Sequence, residues 1–544
     1  MLLILIIWLT NLTIATALGS LLQMIIFKNK PQTIDYLLYN GLFAYMLLIW
    51  LITYFTGFDL YFQMTSFILS FIYLILYPKY LKALWQSFKH FPKINKAIFF
   101  ITASVVLMLS SAFSTLPDNE SYYIQTIQWA NAQGLIKGLI NIHPFLGQFS
   151  GWHILQAGFN FQTNLLIFND LNGLFFLIFV FYWLKRFQKA EFNQTYWLGL
   201  FPVVMPILIF FIDSPSPDLP VALLSLLVFD LFIRNYQQFN LQEFIEILML
   251  TAFSFLIKPT AVINLFLVVI LWWRYHRQLS RMFLKIVSFG LFIAGLWLSK
   301  NYLITGYLFY PFVFLSDVFK PAWQYPRELM GLMAQLGMQE NGAINAHFSL
   351  LKGFGDWLRQ PGIHQIVNPL MVVLLLIFPV VFISKKQKVS FSNPYWILYL
   401  TGLLYFIIIL FISPNIRFFL PVFIFLALGV KSFLSRTVFY KYFNAFGWVI
   451  FLFGGIYWAI HQHWQFKNLL IPQPVSVFSR YHTETEGNLQ YHFPQGQNLF
   501  WQTGDAPLPA VHFNQINYFK TRFGIVPQKN LKQNYYYSKP VNIN

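Results

Sequence analysis

The chain has 544 residues; 57% are hydrophobic, 10% are charged, 64 are phenylalanine, and the formal net charge is +18. A soluble domain carries about 25% charged residues, so this much apolar surface cannot be hidden in a water-soluble core and must face lipid. Cysteine is absent, which excludes disulfides, thiolate metal sites and a cysteine nucleophile.

The first residues, MLLILIIWLT, carry no basic stretch ahead of their apolar run and read as a first span, not a cleaved signal peptide. A bilayer core takes about 20 apolar residues per helix. On that scale spans fall near 2–27, 36–56, 60–78, 97–115, 165–184, 197–212, 219–234, 244–257, 259–273, 285–304, 369–384, 395–412, 418–434 and 443–461. The expected fold is an all-α integral membrane protein of about fourteen transmembrane helices. The pairs 197–234 and 244–273 are interrupted by the proline-bearing turns DSPSPDLP and KPT, and each reads alternatively as a re-entrant hairpin. Between the third and fourth spans, PKYLKALWQSFKHFPKINK (78–96) interleaves lysines with aromatics, the pattern of an interfacial helix.

Most cations near the spans fall on alternate loops. One side receives Lys28 and Lys30, Lys79 to Lys96, Lys185, Arg186 and Lys189, Arg234, Arg274 to Lys285, Lys385, Lys386 and Lys388, and Lys431, Arg436 and Lys441. The positive-inside rule makes those loops cytoplasmic and puts the N-terminus and the tail outside. Much of the net charge is then topological, and nucleic acid is not needed as a partner. Three long segments lie outside, at about 116–164, 305–368 and 462–544. The last is rich in Gln, Asn, Tyr and Pro and is expected to be a small, poorly regular appendage.

Acidic residues number 18, so their positions are informative. Asp118 and Glu120 follow the fourth span in STLPDNESYYIQTIQWANAQG. Pro117 can start a helix there, and Asp118 suits its first turn. Two carboxylates at the lipid–water boundary could take a proton from a hydroxyl; helix capping plus solvation is the alternative. Asp213 and Asp218 flank the prolines of IDSPSPDLP, and a plain interfacial loop is the preferred reading for Asp213. Lys258 sits in SFLIKPTAV, Lys300 and Asn301 end a span, and Arg417 begins one. These three cations could together hold a phosphate headgroup, or each could anchor separately to lipid. His143 and His153 lie on the first outer loop, and His461 and His463 form a weak pair without metal-ligand spacing. Phosphate-loop, dinucleotide and nucleophile-elbow motifs are absent.

Taken in order, these stretches resemble the GT-C class of membrane glycosyltransferases. DNESYYIQTIQWANAQG is similar to the acidic motif that opens the family's first large outer loop, and HPFLGQFSGWHILQAGF to a second juxtamembrane helix. SPDLPVALL, with Asp218, resembles the later acidic turn; FLIKPTAVINL resembles the Lys-bearing turn; NIRFFLP resembles the Arg-aromatic-Pro element. SKNYLITGYLFYPF departs by placing Lys300 where the family usually has Arg. The resemblance divides the chain into extra spans and the interfacial helix (1–96), a GT-C-like core with juxtamembrane helices (97–435), a last span (436–461) and an outer tail (462–544).

The resemblance implies an inverting enzyme of a bacterial cytoplasmic membrane that moves a sugar from a polyprenyl-phosphate donor to an outer acceptor. It implies catalytic roles for Asp118 and Glu120, donor-phosphate contacts from Lys258, Lys300 and Arg417, and supporting roles for Asp218, Tyr122 and Asn301. No cofactor is required, a divalent metal ion is compatible, and the expected partners are the donor and membrane lipid. A glycan-lipid transporter or flippase is the alternative, although it would place ionisable groups at mid-membrane and keep its outer loops short. A polysaccharide ligase or polymerase would concentrate Arg and His in one loop, whereas 305–368 holds Arg327, His347, Arg359 and His364 sparsely.

Overall fold

Within lipid an uncharged run of Leu, Ile and Phe must close its own backbone hydrogen bonds, and helices result. A computed structural model describes residues 1–27, 34–160, 170–189, 197–330, 350–362, 364–384, 391–412, 414–434, 437–496 and 501–541. Lys28, Lys30, Lys385, Lys386, Lys388, Arg436 and His347 lie outside them.

Helices α1 (Leu2–Phe27) and α2 (Leu37–Thr53) pack closely. Gly19 and Gly41 permit this, since a Cβ on either would collide with the partner backbone at Leu37 or Ala15. α3 (Leu60–Leu76) bends by 81° into α4 (Lys79–Lys89). α4 buries Tyr80 while exposing Leu81 and Trp85, as an interfacial helix does. α5 (Lys93–Ser110) leads into the short buried helices α6 (Ile124–Ala132) and α7 (Gly151–Phe159), and α8 (Asp170–Lys189) follows.

The segment 197–212, expected as one span, is instead broken into Trp197–Val203, α9 (Met205–Leu208) and Ile209–Phe211. Pro202 and Pro206, four residues apart, each remove a backbone donor, which weakens a continuous helix there. Then come α10 (Asp218–Gln237), α11 (Leu241–Ile257), α12 (Val262–Arg274), α13 (His276–Leu279) and α14 (Phe283–Thr305). α15 (Leu350–Leu358), α16 (His364–Ser384), α17 (Pro394–Ile412), α18 (Ile416–Leu434) and α19 (Thr437–His461) complete the bundle. Among the described residues 8 helices are long and apolar enough to cross a membrane, or up to 9 with the bent α3–α4 pair as one span.

The bundle has two distinct ends. At one, the amide of Leu3 donates to Leu470 just beyond α19 (3.3 Å), and the tail packs on the loop after α5. At the other, Lys185 pairs with Asp35, Gln188 reaches the His90 carbonyl (3.4 Å), and Tyr275 donates to the Tyr236 carbonyl (2.8 Å).

The tail corrects two expectations, that the protein is all-α and that this segment is poorly regular. Strands β1 (Tyr481–Glu486) and β2 (Leu489–Pro494) form an antiparallel hairpin with Glu486 opposite Leu489. Its two-residue turn begins with Gly487 at φ 62°, which the hairpin turn demands. Leu489, Tyr491 and Phe493 alternate inward along β2. Helix α20 (Phe513–Phe523) connects to a second hairpin, β3 (Ile525–Asn530) with β4 (Tyr535–Pro540).

Candidate functional site

Four charged side chains from four separate elements meet at the tail's end of the bundle. Lys258 follows α11, and Pro259 after it disfavours helical backbone, so α11 stops at Ile257 and Lys258 takes extended angles (φ −154°, ψ 122°). Its ammonium pairs with Asp218 in the first turn of α10, where a carboxylate also complements the helix dipole. The Ser216 hydroxyl donates to the other Asp218 oxygen at 3.3 Å. Arg417, in the first turn of α18, pairs with Asp118, and its Nε lies 3.8 Å from Asp218. Phe418 forms a floor: Lys258 Nζ lies 3.9 Å and the Arg417 guanidinium 5.4 Å from its ring centre.

Asp118 makes no capping hydrogen bond. Its carboxylate accepts instead from Arg417 and from the Tyr123 hydroxyl at 3.2 Å. Asn119–Tyr123 is a π-helical turn, and the Ile124 amide donates to the Asn119 carbonyl. In an α-helix the residue four ahead of Asp118 would stack over it, which is Tyr122. The wider π turn brings the fifth residue round. Tyr123 therefore holds the acid, and Tyr122 donates to Gln148 Oε1 at 3.2 Å. His153 of α7 backs this turn, with its ring 4.8 Å from that of Tyr123 and its Nε2 3.1 Å from the Pro215 carbonyl. Burial pushes the His153 imidazole down to about 3, so it is neutral and donates that hydrogen bond.

The other expected site residues stand apart from this quartet. Glu120 turns to the tail, accepting from Ser476 Oγ (2.6 Å) and the Val477 amide (3.2 Å). Lys300 is buried and donates to the Gln148 carbonyl at 3.1 Å; among the described residues it has no ion-pair partner. Asn301 donates to the Leu308 carbonyl (3.3 Å) and accepts from Thr305, bracing the end of α14 before Gly306. Asp213 is fully buried against Trp458. Tyr123, Ser216 and Phe418 are not singled out by the sequence, and His153 is named there only as a histidine of the first outer loop. For Tyr123 the available signal was the YY pair, which an α-helical reading resolves the wrong way.

Three members of the quartet remain open to a ligand: the side chains of Asp118, Arg417 and Lys258 are 22%, 24% and 15% exposed. Asp218, at 2%, is an internal counter-ion. Two fixed carboxylates and two fixed cations provide a proton acceptor beside anion-binding groups. Among the described residues no group of three His, Asp or Glu side chains is arranged to hold a metal ion.

Residues 1–424 match the family described as Domain of unknown function (DUF8201), and the chain belongs to that family. No curated protein and no solved structure matches it.

Proposed function

We propose that this member of the DUF8201 family is an inverting membrane glycosyltransferase of GT-C type, using a polyprenyl-phosphate sugar donor on the outer face of a bacterial cytoplasmic membrane. In this reading the chain crosses the bilayer about fourteen times, with the N-terminus and the tail outside. The broken 197–212 segment and the shorter apolar helices 259–274 and 416–430 count among the crossings. The observation that carries the reading is the quartet. Asp118 and Arg417 are 299 residues apart, yet they meet at one end of the bundle beside Lys258 and Asp218.

Asp118 accepts the proton of the acceptor hydroxyl as that oxygen bonds the anomeric carbon. The bond from this carbon to the phosphate oxygen breaks, and its electron pair leaves on the phosphate. Lys258 and Arg417 neutralise that charge. The Arg417 side chain is 24% exposed, so part of its guanidinium can meet an arriving phosphate. Glu120 and Lys300 support the site through the tail and Gln148; neither is assigned a contact with substrate.

One feature favours a second reading. The resting quartet is electrically balanced, which suits ion pairs that open and close around a glycan lipid in transit. The deciding experiment is transfer of labelled sugar from a polyprenyl-phosphate donor by purified protein. Asp118→Asn keeps size and hydrogen-bonding shape but cannot accept the proton; transfer should fall by about 10²–10⁴-fold, the usual share of a general base. Full transfer in this variant removes the base assignment. Wild-type protein that moves the labelled lipid across vesicles but forms no glycosidic bond supports the transporter.

A further inference from the structure

We propose that the tail is a clamp on the acid-bearing turn and that Glu120 is the positioning residue through which it acts; its effect on catalysis, though not its docking, rests on the transferase reading.

The tail grips the first outer loop from Asn119 to Ile142. The Glu120 carboxylate takes hydrogen bonds from Ser476 and Val477, while its carbonyl accepts from the amides of Thr503 and Gly504 at 2.9 Å each. Asn119 donates to the Val475 carbonyl (3.2 Å), and Gln125 to the carbonyls of Gly504 (2.9 Å) and Ala506 (3.1 Å). Further along, the Tyr536 amide donates to the Lys137 carbonyl (3.0 Å) and Gln515 to that of Ile142 (2.8 Å). The π turn between Asp118 and Tyr123 is thus fixed from outside the bundle, by residues more than 350 positions downstream in the case of Ser476. A π turn carries one residue too many for regular helix geometry and persists where its surroundings stabilise it. Loss of the clamp lets residues 119–123 relax toward an α turn. Tyr122 would then replace Tyr123 over Asp118, and the aim of the acid would change. The family match ends at residue 424, so the clamp lies beyond the matched residues while holding a turn within them.

Burial pushes the Glu120 carboxyl up to about 7, and the nearby Asp505 carboxylate adds to this. Tyr481, which hydrogen-bonds Asp505, is the other titratable group facing it from the tail. A folded-state pKa raised above the unfolded one favours the docked tail most at low pH, and that contribution is lost as pH rises through about 7.

The chain has no native Cys, so docking can be read by thiol labelling of the full-length protein. Ala506→Cys reports from a fully buried site, and Gln533→Cys is an exposed control that corrects for thiol ionisation. Ala506→Cys should label at least about tenfold more slowly than the control, and adding Glu120→Ala should remove most of that protection. Between pH 6 and pH 8 the corrected rate should rise by about tenfold with Glu120 present. It should stay flat with the neutral Glu120→Gln, which keeps the tail docked. In sugar transfer, Glu120→Ala should lower kcat with donor KM unchanged, and Glu120→Gln should restore kcat. Labelling unchanged by Glu120→Ala, or full transfer with the tail undocked, overturns the clamp. Labelling as expected with no transfer even by wild type overturns the transferase reading and leaves the docking role of Glu120 standing.

Discussion

The two ends of α10 carry charge clusters of the same make-up and different construction. At its start Asp218 and Asp118 face Lys258 and Arg417. About 18–24 Å away along the helix, Asp230 and Glu243 face Arg234 and Arg186. Exposure does not separate them, since Arg234 (28%) and Glu243 (20%) are as open as Arg417 and Asp118. The sequence separation of the ion pairs does. In the second cluster they span one helical turn (Asp230–Arg234), 9 positions (Arg234–Glu243, across the α10–α11 hairpin) and 44 (Arg186–Asp230), against 299 for Asp118–Arg417. Tyr182 and Tyr36 complete the second cluster from elsewhere in the bundle, with hydrogen bonds of 2.8 Å to Asp230 and from Arg234. Its closest pairs fasten a hairpin. The pair Asp118–Arg417 joins elements that no hairpin connects. Such convergence must be built from the whole fold, and it marks the end where chemistry is proposed.

Substitutions at the quartet's end should separate activity from stability most sharply. Arg417→Ala and Lys258→Ala should each lower transfer by about 100-fold or more, and the double variant should lose less than the product of the two, because groups acting on one leaving phosphate are not additive. Small, strictly multiplicative losses in transfer assays would return both residues to separate lipid anchoring. At the opposite end of α10 Asp230→Ala should destabilise the protein by about 3 kcal/mol, since two arginines lose a buried partner. Activity per folded molecule should be unchanged. A denaturation series read beside transfer tests this, and a catalytic loss without destabilisation would erase the contrast between the ends. The smallest perturbation is Gln188→Cys, exposed beside His90. It should resist a membrane-impermeant thiol reagent in intact cells while Gln533→Cys reacts. Gln387, on another loop read as cytoplasmic, and Asn341, on the long loop 305–368, lie outside the described residues. Equal labelling of both cysteines would put the two clusters on one side and undo the comparison.

Much of the helical architecture was legible because charge-free runs of Leu, Ile and Phe leave few alternatives. The segment 197–212 passes the same hydropathy test yet is broken where Pro202 and Pro206 stand only four residues apart, whereas α16 and α18 run through Pro369, Pro379 and Pro421; averaged hydropathy ignores such local backbone effects. The hairpins of the tail were missed for a related reason. Leu489, Tyr491 and Phe493 repeat every second residue, but the surrounding Gln, Asn and His lower the mean until the segment looks like loop. In the quartet, Asp118, Asp218, Lys258 and Arg417 were chosen as scarce charges beside span ends, and the fold brings them together. Lys300 satisfied the same criterion and was carried elsewhere by the length of α14. Exchanging Tyr122 for Tyr123 required knowing that a π turn was present, which residue spacing does not reveal.

The distances in sequence that close the quartet's end also impose an order on its making. A ribosome adding about 5–20 residues per second needs roughly 15–60 seconds after Asp118 to reach Arg417, its partner 299 positions on. Ser476, which fastens Glu120 from 356 positions on, arrives later still. For that interval the nascent chain presents its acidic turn without cation or fastening. The α10–α11 hairpin, with Arg234 and Glu243 9 residues apart, needs no such wait. Maturation of the quartet's end therefore comes last, and a polypeptide cut short before Ser476 would enter the membrane with the acidic turn unfastened.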